Sequence, residues 1–150
     1  MEHWCLGLAY VGKRMYTDAI SEFQKARAAG GCPCELAALG YTYAVAAKRD
    51  EALGILRQMK ALSQQSYPFS CLIAEVYAGL GDKDSAFQWL NRAYKERDGQ
   101  LTSLEVDPFF DSLRSDTRYH DLVRRVGLPP YTPPHATCIT LLPFVRSLRP

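Results

Sequence analysis

The strongest constraint on this chain is a pattern that occurs three times, at spacings of 33 and then 34 residues. Leu6-Gly7-Leu8-Ala9-Tyr10 recurs as Leu39-Gly40-Tyr41-Thr42-Tyr43 and as Ile73-Ala74-Glu75-Val76-Tyr77, and nine residues beyond each tyrosine stand Ala19, Ala52 and Ala86. Phe23, Leu56 and Leu90 follow in the same register, then Ala26, Met59 and Ala93. Each copy has two apolar stretches at helical spacing, so each unit reads as a helical hairpin. Gly7, Gly40 and Ala74 on one helix, with Ala19, Ala52 and Ala86 on the other, lack bulk where two backbones must approach. Phe23, Leu56, Leu90, Tyr10, Tyr43 and Tyr77 fill the space beside that contact. A single hairpin cannot bury its own apolar stripe, whereas stacked neighbours can.

Period, small residues and aromatics together resemble the tetratricopeptide repeat (TPR) family. The resemblance implies an all-α fold: a right-handed α-solenoid of three hairpins, about 1–32, 33–66 and 67–97, plus a modified closing hairpin over 98–128 that seals the apolar end of the stack. The alternative for 98–128 is an unrelated connector. The stretch 106–116, Val-Asp-Pro-Phe-Phe-Asp-Ser-Leu-Arg-Ser-Asp, and Arg-Arg-Val-Gly-Leu-Pro at 124–129 are similar to the closing segment of TPR regions in bacterial signalling proteins. Such regions accompany adenylate cyclase, serine/threonine kinase or winged-helix domains. Residue 1 falls almost at the start of a repeat, as if the chain were cut from a longer protein.

Local punctuation agrees with these units. Thr17, Asp50 and Asp84 are candidate N-caps for the second helices, and Gly30-Gly31 ends the first hairpin. Lys13-Arg14 and Lys48-Arg49 suit the C-terminal ends of first helices as solvated charges, in preference to a phosphate site. Leu101–Leu104 predicts at most a short helix. Asp107-Pro108 predicts a cap and first residue for a brief helix through Leu113. Asp116 caps a last helix with the stripe Tyr119, Leu122, Val123 and Val126, and Gly127 suits a left-handed terminus before Pro129-Pro130. Residues 129–150 form a proline-rich tail holding six of the nine prolines and the apolar run 138–145.

Composition narrows the function. A net charge of +2 with interleaved acids and bases gives no reason to expect nucleic acid. No stretch approaches the ~20 apolar residues of a membrane span, and no signal peptide is visible, so the expectation is a cytoplasmic protein with no membrane partner. The cysteines, Cys5, Cys32, Cys34, Cys71 and Cys138, are odd in number and irregularly spaced, which reads as reduced thiols. Cys32-Pro33-Cys34 reads as loop and core, with a thiol oxidoreductase as the distant rival. His3, His120 and His135 have no nucleophile or carboxylate placed beside them in a recognisable constellation. No catalytic, metal or cofactor site is predicted.

What remains is a binding surface. In the TPR family the first helices line a concave groove, which the register assigns here to Trp4, Leu8, Val11 and Gly12, opposite a buried Leu6 and Tyr10. The matching positions are Ala37, Tyr41, Ala44 and Val45, then Cys71, Glu75 and Ala78. Members that hold the carboxylate tail of chaperones carry lysine, asparagine and arginine there. This sequence has none at these positions, so that activity is not implied. The expectation is a non-catalytic protein-interaction scaffold that takes a peptide, a helix or a parent-protein segment in an apolar groove. The alternatives are self-packing of these side chains, or a structural or sensor arm of a larger bacterial signalling or regulatory protein. An apolar tail beside an apolar groove also predicts self-contact through 138–145, in cis or in trans; its rival is a disordered extension.

Overall fold

A computed structural model describes residues 2–30, 32–65 and 69–128. The expected tail contact through 138–145, and Gly31, lie outside the described residues. Helix is the only regular secondary structure among the described ones. The elements are α1 (Glu2–Gly12), α2 (Tyr16–Ala28), α3 (Pro33–Val45), α4 (Arg49–Gln65), α5 (Ser70–Gly79), α6 (Lys83–Glu96) and α7 (Thr117–Val126), with 3₁₀ turns at Gly99–Ser103 and Pro108–Leu113 between the last two.

The helices pack in neighbouring pairs: α1 with α2, α3 with α4, α5 with α6, and α6 with α7. Between the first three pairs, α2 packs on α3, α4 on α5, and α3 on α5. The small residues sit where the register puts them. Ala19, Ala52 and Ala86 are all 0% exposed. Gly7 leaves room for the Phe23 ring, since a Cβ there would stand 2.5 Å from it. Phe23, Leu56 and Leu90 are buried alongside. Tyr10, Tyr43 and Tyr77 are half-buried; Tyr43 accepts a hydrogen bond from Gln24 and Tyr77 one from Lys60.

The three turns joining the helices of a pair are built alike. Arg14, Ala47 and Gly81 adopt the left-handed conformation, with φ of 60°, 61° and 75°. The next amide, of Met15, Lys48 or Asp82, donates to the carbonyl of Tyr10, Tyr43 or Tyr77. This backbone closure satisfies carbonyls that a helix end leaves open. Only Gly81 is the residue type that takes this conformation without steric cost.

Several local expectations are corrected. Thr17, Asp50 and Asp84 lie inside the first turns of α2, α4 and α6 and do not cap them. The closures just described start each helix earlier: α2 follows Met15 with no side-chain cap, and in α6 it is Asp82 that accepts from the Ser85 amide. Leu6 is 47% exposed, although Leu39 and Ile73 are buried. α3 and α5 each have a preceding helix packed on them, whereas α1 is the first described element.

The final segment follows its sequence signals closely. Asp107 accepts from the Phe109 amide, Pro108 begins the 3₁₀ turn, and Asp116 caps α7. Gly127 has φ 80°, and the Leu128 amide reaches back to Val123. Phe110, Leu113, Tyr119 and Leu122 are buried with Leu101 and Leu104 against α5 and α6.

Candidate functional site

The first-helix positions assigned to a groove fall into a graded series. On α1, Trp4, Leu8 and Val11 are half-buried and Gly12 is exposed. Trp4 turns its indole onto Phe23 of α2, with ring centroids 5.5 Å apart, and so serves the hairpin interface as well. On α3, Ala37 is fully buried, while Tyr41, Ala44 and Val45 are half-buried. On α5, Cys71, Glu75 and Ala78 are all buried. Most of these positions on α1 and α3 are thus partly accessible, whereas those on α5 are covered.

The cover is the chain's own segment 98–113. Leu101, Leu104, Phe110 and Leu113 pack with Cys71, Ala74 and Ala78. The Ser112 hydroxyl donates to the Ala78 carbonyl at 3.4 Å. Phe109 crosses to α3 and lays its ring on Tyr41, centroids 4.5 Å apart. Tyr41 in turn fills the space left by Gly79, where a Cβ would stand 2.8 Å from its ring. Gly79, the last residue of α5, thereby permits the close approach of α3 and α5. Burial first, then Asp111, raises the Tyr41 phenol above its ordinary pKa.

Three side chains hold this cover in place, and sequence reasoning singled out none of them for it. Asp98, 5% exposed, accepts the Cys71 amide on one oxygen and the Gln100 amide on the other, both at 3.1 Å. One carboxylate thereby caps α5 and the first 3₁₀ turn together. Arg114 donates to the carbonyls of Glu105 and Asp107 and pairs with Asp111 at 2.7 Å. The Tyr119 hydroxyl donates to the Leu104 carbonyl at 2.5 Å, and burial first raises its pKa to about 12. The Asp98 contact spans 27 residues, which no local pattern encodes.

Beneath the cover lies Glu75, 4% exposed. Burial, and then the carboxylates of Asp107 and Asp98, push its carboxyl well above the ordinary range, so it favours the neutral form. Burial likewise raises the neighbouring Cys71 thiol.

The cysteines depart from expectation. Cys5 is an exposed free thiol and Cys71 a buried one, but the sulfurs of Cys32 and Cys34 are in bonding contact. The reading of this pair as reduced is corrected: Cys32 is the N-cap of α3 in extended conformation, and the first helical turn brings Cys34 back to it. His3 pairs with Glu22 at 2.6 Å, and His120 stacks edge-on to Tyr119. Among the described residues no group of three His, Cys, Asp or Glu side chains is placed to hold a metal, and no helix is long and apolar enough to cross a membrane.

Comparison with protein-family models, curated proteins and solved structures finds no match to this chain.

Proposed function

We propose that this chain is a non-catalytic interaction scaffold, a tetratricopeptide-type right-handed solenoid that seats an apolar peptide or helix on the face formed by α1 and α3. The observation that carries the reading is Phe109 on Tyr41: the chain already lodges one of its own aromatic side chains on the α3 face. Burying a phenylalanine side chain contributes ~1.5–3 kcal/mol, so two or three such anchors suffice for a specific complex. Leu8, Val11 and Val45 are apolar and half-buried, and carry no charge that would select an acidic tail. The alike turns and the three fully buried alanines support the solenoid.

Peptides selected from a random display library on the intact protein test the reading. Binders should share aromatic or branched apolar anchors and lose at least tenfold in affinity on Leu8→Glu or Val45→Glu, with Gln58→Glu on the exposed side of α4 as the neutral control. Selection of no peptide that depends on Leu8 or Val45 would leave the rival reading, a structural arm of a larger protein. A cytoplasmic location completes the proposal. There a stable disulfide is not expected, and a bond such as Cys32–Cys34 persists only as an exchanging one.

A further inference from the structure

The bonded pair Cys32–Cys34 opens onto a cavity of about 200 Å³ lined by Cys32, Pro33, Cys34, Phe69, Leu72, Asp98 and Gln100. Three conditions for thiol exchange meet there. Cys32 is an exposed residue and lines the cavity, which puts it in the path of an incoming thiol. The pair occupies the first positions of α3, a 13-residue helix whose N-terminal dipole stabilises a departing thiolate. The cavity beside it is walled by Pro33, Phe69 and Leu72, and its one carboxylate, Asp98, already has both oxygens engaged by backbone amides. An incoming peptide therefore meets apolar surface and one negative charge, a combination that disfavours acidic residues beside the reacting cysteine and favours an apolar one.

We propose that, beside the scaffold role, Cys32–Cys34 is a thiol–disulfide exchange site that reacts once per oxidised molecule and does not turn over, with a peptide cysteine flanked by an aliphatic residue, seated between Phe69 and Leu72, as its partner. The peptide thiolate attacks the Cys32 sulfur and forms a mixed disulfide. The Cys32–Cys34 bond breaks, and its electron pair leaves on Cys34 as a thiolate, which takes a proton from water. A second peptide thiolate then attacks the peptide sulfur of the mixed disulfide and releases Cys32 as a thiolate. In sum two peptide thiols lose two electrons to become a peptide disulfide, and the protein disulfide gains them to become a dithiol.

The test uses the full chain with Cys5→Ser and Cys138→Ser, oxidised with excess oxidised glutathione, and two peptides that differ only in a leucine or a glycine beside their cysteine. Differential alkylation and peptide mass mapping follow loss of the Cys32–Cys34 bond. The leucine-flanked peptide should reduce it at least tenfold faster. Gln100→Trp, which fills the cavity from its exposed rim, should bring the two rates together. N-acetyl-leucinamide, which has no thiol, should slow the leucine-flanked peptide alone, a readout that leaves the cavity residues unchanged. Equal rates for the two peptides, or a protein that keeps both cysteines alkylatable after oxidation, would overturn the proposal.

Discussion

Alanine in place of Gly40 is the sharpest probe of the packing. Gly40 is buried in the middle of α3, and a Cβ there would stand 2.7 Å from Ile55 Cγ2 on α4 and 3.0 and 3.2 Å from the two methyls of Val76 on α5. Favourable carbon–carbon contacts lie near ~3.5–4.0 Å, so one methyl would press on two neighbouring helices at once. Ile55 and Val76 are β-branched and stiff at χ1, so relief must come from moving a helix. Overpacking of this kind costs ~1–3 kcal/mol, while alanine gains ~0.8–1.0 kcal/mol over glycine in a helix interior. The net expectation is a destabilisation of ~0–2 kcal/mol. Gly54 supplies the reference: it lies inside α4, and what a Cβ would meet there is the end of the Arg57 side chain at 3.8 Å. Gly54→Ala should therefore keep the propensity gain and stabilise by ~0.5–1 kcal/mol. Urea unfolding followed by far-UV circular dichroism measures both, and the gap between the variants reports packing alone. A Gly40→Ala protein as stable as Gly54→Ala would refute the close contact of α3 with α4 and α5.

The same logic sets the remaining expectations. Ala52→Leu, at a site with no exposure, should cost ~1–3 kcal/mol, whereas Gln58→Leu on the exposed side of the same helix should stay within ~0.5 kcal/mol; equal thermal midpoints would sink the register. Asp82→Ala should cost ~1 kcal/mol through loss of the Ser85 cap, and Asp84→Ala, which removes an exposed pair with Arg118, well under that. Chemical unfolding at neutral pH ranks the two, and the reverse order would restore Asp84 as the cap. Glu75 fixes a pH dependence. Its folded pKa lies above the ordinary 4.5, so the folded state still holds the proton after the unfolded chain has lost it, and stability falls as pH rises above that value. Glu75→Gln should lessen the loss as pH rises above 4.5; parallel stability curves for the two proteins would show that Glu75 is not a buried neutral acid.

Much of the helical framework is legible in the residues because it rests on local periodicity. The apolar stripes at helical spacing, the Asp107-Pro108 start, the Asp116 cap and the Gly127 stop each act within a turn or two of chain, and each is where the spacing puts it. The helix starts are misread for one reason. Thr17, Asp50 and Asp84 are good capping residues by type, but backbone closure around Arg14, Ala47 and Gly81 consumes the turn before them. A non-glycine residue at positive φ gives no compositional warning, and Gly81 alone carries the signal. The bonded Cys32–Cys34 pair is missed similarly, since the usual redox spacing has two residues between the cysteines and one proline separates these.

The candidate surface is less legible, and the difference is between facing and covering. Helical periodicity tells which residues of α1, α3 and α5 share a face, because facing is a property of one helix. Whether that face meets solvent depends on what arrives from elsewhere in the chain. For α5 that is the segment held by Asp98, Arg114 and Tyr119, whose contacts span 27, 9 and 15 residues. Leu8 and Glu75 hold matching positions in the register, yet one is half-buried and the other almost sealed. The sealed end explains how a carboxylic acid comes to stand in an apolar series: burial under the cover favours its neutral form, and a neutral acid is far less costly beside Cys71, Ala74 and Ala78 than a charged one. Ionising it would set Glu75 against Asp98 and Asp107, two of the carboxylates that organise the cover. A charge on Glu75 would thus work against the closure of the α5 end, whereas its neutral form is compatible with it.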